Sequence, residues 1–319
     1  MTTVIEADGL TKRYGEHVAV DDIGFTVTEG EIFGILGTNG AGKTTTVECL
    51  QGLRRPDSGH MRVLGLDPRT AGSRLRALVG SQLQASALPD RLRVDEAVRL
   101  FGDGDRRSAD RLLDTWDLSA LRRSSFASLS GGQRQRLFIA LALLNEPLVV
   151  FFDELTQGLD PLARSDVWGA ISDVRDRGTT VVLVTHFMDE AEALCDRVAV
   201  MRSGRIVETG TPAELIARHA RSTTVTFTPP VSFDPAALAA LPGVDGVSRH
   251  RDRITVVGDN RLIAPVCAAV LGDDDLGPPD LRVHHPDLED ALIALISDTR
   301  ADRPSLVDGV QGSTPEGVS

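Results

Sequence analysis

Two short runs in this chain carry residue types that could do chemistry. Gly37-Thr38-Asn39-Gly40-Ala41-Gly42-Lys43-Thr44 has the glycine spacing of a phosphate-binding loop. In such a loop the backbone N–H groups from Gly37 to Thr45 wrap phosphate oxygens. Lys43 reaches the β- and γ-phosphates, and the Thr44 hydroxyl can ligate Mg²⁺. Of the 34 basic residues only Lys12 and Lys43 are lysine, so composition does not explain a lysine at this position. The second run is Leu129-Ser130-Gly131-Gly132-Gln133. Read alone, it is a helix start with serine as N-cap. Read beside a phosphate loop, Ser130, Gly131, Gly132 and Gln133 form a second anion site, because N–H groups at a helix start point outward and glycine permits close approach.

Other candidates depend on that context. Val149-Val150-Phe151-Phe152-Asp153-Glu154 could be only a core strand ending in two solvated carboxylates. A phosphate loop, however, needs an acidic partner at the end of a neighbouring buried strand, where Asp153 would hold Mg²⁺ through its water shell. His186 follows the apolar run Val181–Thr185 and by itself reads as a buried imidazole. Tyr14 is the only tyrosine and is expected in a polar loop.

These residues need strands and helices to hold them. Glu31–Leu36 reads as a short apolar strand entering the glycine loop, and Thr44–Gln51 as the helix leaving it. Val4–Leu10 and Asp22–Val27 read as earlier strands, Met61–Val63 and Ala77–Ser81 as later ones. From about Arg93 to Glu146 the pattern is helical, with Leu137, Leu141 and Leu144 on one face. Leu148–Phe152 and Thr179–Val184 are buried strands around a helix near Ala163–Arg177, and Asp196–Met201 with Arg205–Thr209 is a hairpin turning at Ser203-Gly204. Strands alternating with helices predict an α/β domain with a largely parallel sheet and a helical insert at about 85–146.

Thr211-Pro212 predicts an N-cap followed by a first-turn proline, and the first domain is expected to close near Ala220. Residues 221–298 then read as a small α+β unit with β-α-β-β-α-β order, ferredoxin-like, plus a last helix at Leu288–Ser297. From residue 299 to 319, Pro, Gly, Ser and charge replace apolar residues, which predicts a disordered tail.

Composition sets wider bounds. The chain has 319 residues, 41% hydrophobic and 25% charged, within the range of ordinary globular proteins. No run approaches the ~20 apolar residues of a spanning helix, and the start carries no secretory pattern, so a cytoplasmic protein is expected. A net charge of −12 disfavours a general nucleic-acid binder. Cys49, Cys195 and Cys267 match no metal spacing and read as reduced thiols.

The pairing of the two glycine-containing runs resembles the ATP-binding cassette (ABC) ATPases, with every signature element present in order over about residues 4–218. The resemblance implies a P-loop NTPase fold with a parallel core sheet, antiparallel N-terminal strands and a helical insert, and with ATP and Mg²⁺ as its ligands. It implies Glu154 as the general base, His186 as the switch histidine that reaches the γ-phosphate, and Tyr14 as the ring that stacks on adenine. Two glutamines, Gln82 and Gln84, fit the position that senses Mg²⁺ and nucleotide; the residues that follow favour Gln84. Ser130–Gln133 is expected to close over the ATP of a second cassette in a head-to-tail dimer, and Gly158-Leu159-Asp160 to cross that interface. Thr38 and Leu155 stand where the family usually has proline.

Beyond the cassette, Leu241-Pro242-Gly243-Val244 and Pro286–Leu292 resemble the accessory domain of ATPases serving ABC-2 type exporters, including the daunorubicin-resistance group. That implies a separately encoded membrane permease as partner, a place on the cytoplasmic face of the membrane, and export of a drug, lipid or other hydrophobic compound. The alternative is a soluble ABC ATPase acting on ribosomes or DNA. One P-loop, no sustained heptads and negative charge weigh against it, while Glu154 and His186 weigh against a non-catalytic module.

Overall fold

The computed structural model describes residues 2–82, 87–102, 106–220, 222–229, 233–271 and 280–298. The chain opens with two long strands, β1 (Thr3–Tyr14) and β2 (His17–Thr28), followed by β3 (Ile32–Gly37), the glycine loop and α1 (Lys43–Leu50). Then come β4 (Ser58–Val63), the single-turn helices α2 (Pro68–Ala71) and α3 (Ser73–Arg76), and β5 (Val79–Gln82). The insert contains α4 (Val94–Phe101), α5 (Arg106–Thr115) and α6 (Gly131–Leu143). The core resumes with β6 (Val149–Asp153), α7 (Pro161–Asp176), β7 (Thr180–Thr185), α8 (Met188–Leu194), β8 (Arg197–Arg202), β9 (Arg205–Gly210) and α9 (Pro212–His219). The remainder holds β10 (Thr223–Phe227), β11 (Val244–His250), β12 (Arg253–Gly258), α10 (Ile263–Leu271), β13 (Arg282–His284) and α11 (Leu288–Asp298).

Six strands form the central sheet in the order β5-β6-β7-β3-β8-β9, parallel except for the β8–β9 hairpin. Its inner strands β3, β6 and β7 are buried at every position because both faces are covered. Successive side chains point to opposite faces. Val150 and Phe152 of β6, Val181 and Leu183 of β7, and Ile32 and Leu36 of β3 join one core with the helices of the insert. Val149 and Phe151, Val182 and Val184, and Phe33 and Ile35 join a second core under the antiparallel sheet β2-β1-β4. The stacked rings of Phe25 and Phe33, 5.3 Å apart, link the two sheets. The fold is therefore α/β, with antiparallel N-terminal strands beside a parallel core.

A third sheet, antiparallel in the order β11-β12-β10-β13, has its own core of Val225, Phe227, Ile254, Val256, Leu262 and Val266. The segment expected as its first helix, Pro235–Leu241, is a 3-10 helix over Pro235–Ala240, capped by Asp234. The last helix does not belong to this sheet's core. Leu288 and Leu292 of α11 enter the apolar cluster of the main domain with Leu194 of α8 and Leu215 of α9. The Leu288 N–H also donates to Glu192 Oε2 at 3.1 Å. The 221–298 segment thus leaves the first domain and returns to it. The expected tail, 299–319, lies outside the described residues.

Candidate functional site

The glycine loop leaves β3 at a point where side chains do not fit. A Cβ on Gly37 (φ 152°) would lie 2.2 Å from the Met201 carbonyl oxygen, and one on Gly42 (φ 101°) 2.2 Å from that of Ala19. Only glycine permits these approaches. The loop ends in α1, whose first residue is Lys43. The Lys43 ammonium folds back to donate to the carbonyls of Gly37 (2.8 Å) and Thr38 (3.1 Å). Burial lowers its pKa, and the negative charges of Glu154 and Asp153 oppose that shift.

At the end of β6, Asp153 is 2% exposed. Its Oδ2 accepts from the Thr44 hydroxyl at 3.0 Å, while Oδ1 is buried with no hydrogen-bond partner. Burial raises its pKa and the Thr44 hydrogen bond opposes the rise. A buried carboxylate oxygen with no protein partner, beside a threonine hydroxyl, is a donor set that fits a hard cation and its water shell.

Glu154 adopts φ 54°, the left-handed region, which for a residue with a Cβ costs on the order of 1–2 kcal/mol. Its N–H donates to the Val184 carbonyl at 2.8 Å, which pins the turn to the end of β7. The turn sends the side chain into the cavity at the loop, with Oε1 3.2 Å from Nδ1 of His186. Strain of this kind gathers where function constrains the backbone.

The cavity, about 330 Å³, is lined by Tyr14, His17, Ala19, the loop from Asn39 to Thr45, and Glu154. Tyr14 is the last residue of β1 rather than part of a polar loop, and the tight turn sets it opposite His17. Its ring has the Arg54 guanidinium 5.2 Å from the centroid and the Lys12 ammonium at 5.6 Å. The sequence reading missed His17 and Ala19. No pattern marks them, and they reach the cavity because the β1–β2 turn crosses its mouth.

Lys43, Thr44, Asp153, Glu154 and His186 therefore converge, and Tyr14 lines the same cavity as Lys43, Thr44 and Glu154. The run from Ser130 to Gln133 does not line it. Ser130 caps α6, accepting from the Gln133 N–H (3.2 Å) while its own N–H donates to Gln133 Oε1 (2.9 Å). Asp160 is the N-cap of α7, accepting from Ala163 N–H at 3.0 Å. Gln84 lies outside the described residues; Gln82 ends β5 and is buried. At the two departures from the family pattern, the Thr38 carbonyl holds Lys43 and Leu155 is wholly buried in the core.

Comparison with known proteins agrees with this geometry. Residues 20–157 match the family model described as ABC transporter. The chain is 36% identical over 308 residues to daunorubicin resistance ATP-binding protein DrrA3 of Streptomyces coeruleorubidus, covering 93% of this chain and 97% of that protein. It is 37% identical over 301 residues to Nod factor export ATP-binding protein I of Paraburkholderia xenovorans (strain LB400), covering 91% and 96%. A solved ATP-binding subunit of an ABC transporter superposes with a TM-score of 0.63 at 28% identity, over 68% of this chain and 93% of that one.

Proposed function

The chain belongs to the ABC transporter family as an ATP-binding ATPase cassette, and from that premise we propose that it powers export of a drug, lipid or other hydrophobic compound through a separate membrane permease. The observation that carries the chemistry is the Glu154 carboxylate, held 3.2 Å from His186 at the phosphate end of the cavity. The export assignment is supported by near full-length similarity to a daunorubicin resistance protein and a Nod factor export protein.

ATP enters with its base on Tyr14, a flat ring that offers stacking area at low entropic cost. Its phosphates meet the loop N–H groups of Asn39, Gly40, Ala41, Gly42, Thr44 and Thr45. Lys43 exchanges its two carbonyl partners for phosphate oxygens. Thr44 and, through water, Asp153 would hold Mg²⁺; the ion supplies neutralisation of phosphate charge. Glu154 accepts the proton of the attacking water. His186 orients that water and Glu154, a role an imidazole can fill without permanent charge.

Ser130, Gly131, Gly132 and Gln133 complete the pocket of a second cassette, with Asp160 at the interface between the two. Two chains, as a homodimer or paired with a paralogue, close over two ATP and reopen on hydrolysis. Closure moves the helical insert, where Leu100 and Phe101 at the end of α4 are exposed apolar side chains available to a permease. Among the described residues no helix is long and apolar enough to cross a membrane, so the conduit must come from another segment or chain. Coupling requires the permease to bind open and closed states differently.

The test is affinity capture of the ATP-loaded Glu154→Gln protein from detergent-solubilised cells. Co-isolation of a multi-span membrane protein is the expected result. Recovery of ribosomes or DNA with no permease would contradict it.

A further inference from the structure

Glu190 is a glutamate with no solvent exposure, carried by the helix that follows His186. Burying an ionisable carboxyl is costly unless its surroundings compensate. Close to it lie the hydroxyls of Thr185 and Thr156 and the indole N–H of Trp168, with the Arg164 charge nearby; burial raises the carboxyl pKa and these groups oppose the rise. The contacts are loose. Neither carboxylate oxygen, nor Thr156 Oγ1, nor Trp168 Nε1 closes to full hydrogen-bond geometry, and all are shielded from solvent.

The positions of the partners in the chain give the cluster its meaning. Thr185 is the residue before His186, at the end of β7, and its hydroxyl also accepts from the Phe187 N–H at 3.0 Å. Thr156 lies two residues beyond Glu154, in the turn that leads to Asp160. Trp168 is on α7, the helix that Asp160 caps. One carboxyl thus touches both backbone segments that carry the Glu154–His186 pair, together with the helix that follows the interface loop. A parallel linkage runs along the surface: Arg164 of α7 pairs with Asp189 of α8 at 2.9 Å and stacks 4.5 Å from the Phe187 ring centroid. The first turns of α7 and α8 are therefore tied together beside the pair, with Glu190 as the buried tie.

We propose that Glu190 is a positioning residue for ATP hydrolysis, setting the separation of Glu154 and His186 by holding Thr156 and Thr185 to Trp168. The inference rests on the reading of Glu154 and His186 as the hydrolytic pair. Glu190 does not line the cavity at the glycine loop. It acts on where the two catalytic side chains stand, and small misplacements of reacting groups carry large rate penalties.

The test is steady-state turnover of Glu190→Gln, alone and in a His186→Ala background, with equilibrium MgATP affinity and thermal midpoint measured on each protein. Glutamine keeps the shape and removes the charge. The expected result is about a tenfold fall in kcat with KM and MgATP affinity within twofold of wild type. In the His186→Ala background the further loss should be under twofold, since effects that pass through one partner are not additive. Thr156→Val serves if Glu190→Gln does not fold, with a smaller fall in kcat and the same non-additivity. Wild-type kcat in a folded Glu190→Gln protein overturns the inference, as does a full tenfold loss on top of His186→Ala. Glu154→Gln is run beside them. If it is inactive while Glu190→Gln is normal, only the positioning role fails; if it keeps wild-type turnover, the hydrolytic pair fails and the positioning role with it.

Discussion

The glycine loop and the signature run, the two regions proposed to meet phosphate, are built on opposite plans. In the glycine loop every functional group meets another: Lys43 with two carbonyls, Thr44 with Asp153, Glu154 with His186. In the signature run the reciprocal cap of Ser130 and Gln133 is self-contained, and Ser130 and Gly131 are exposed. The first region is preorganised by burial and carries the associated cost, with a raised Asp153 carboxyl and a lowered Lys43 ammonium. The second is a capped helix start, and in the proposed dimer it would meet a phosphate only from another molecule. The difference teaches that half of a composite site, if this is one, carries no mark of its role in its own chain.

Substitutions at the two regions should separate them. The largest effect is expected for Glu154→Gln, with ATP turnover reduced at least ~10²-fold while MgATP affinity holds, because only transition-state interactions are lost. Turnover at near wild-type rate would remove Glu154 from the role of base. Gly131→Asp should come next. Nothing lies within 4 Å of a Cβ there, so the fold tolerates it. The new carboxylate favours the helix start and repels phosphate. Turnover should fall by about tenfold or more with an unchanged thermal midpoint and unchanged ATP binding to the isolated chain. A loss of ATP binding by the monomer would place the signature in its own chain's pocket and erase the comparison.

A smaller effect concerns the base end of the cavity. Tyr14→Ala should weaken MgATP binding by about tenfold, the range of aromatic stacking on a base, and Tyr14→Phe should restore it. Equal affinities for all three would show that Arg54 or Lys12, not the ring, holds the base.

The smallest effect is on stability and depends on pH. The Asp153 pKa is raised in the folded chain, so folding disfavours its ionised form. That destabilisation is full above the folded pKa, where the carboxylate is ionised in both states, shrinks as pH falls through it, and vanishes below the unfolded pKa. Asp153→Asn should therefore raise the nucleotide-free thermal midpoint at neutral pH, on the order of 2 °C, and the gain should disappear in acid. A gain that persists at low pH would mean packing, not charge burial, is the cause.

Much of this was legible in the sequence because the loop and the strand end obey hard steric and burial rules. Gly37 and Gly42 have no alternative, given the carbonyls beside them, and short continuous apolar runs marked β3, β6 and β7. The hairpin turn at Ser203-Gly204 also appears, with both residues at positive φ. What did not show locally depends on contacts distant in sequence. Helix α8 is short and carries three acidic residues, so no periodic stripe announced it. Its buried Glu190 reads as a surface glutamate until Trp168 and Thr156 are packed over it. The return of α11 to the main domain was hidden for a similar reason. Its apolar face matches a core, but nothing in the pattern says which one. Pro235–Ala240 took a 3-10 form where proline and alanines suggested a full helix.

The central claim is that the glycine loop of one chain and the signature of another make one ATP site. It is tested most directly by mixing two impaired proteins, Lys43→Ala and Gly131→Asp, and measuring ATP turnover of the mixture after subunit exchange. In a mixed dimer one pocket carries both lesions and the other carries none. The account predicts that turnover rises toward half the wild-type rate per mixed dimer, well above that of either protein alone. If verified mixed dimers stay inactive, the two regions do not form a shared site.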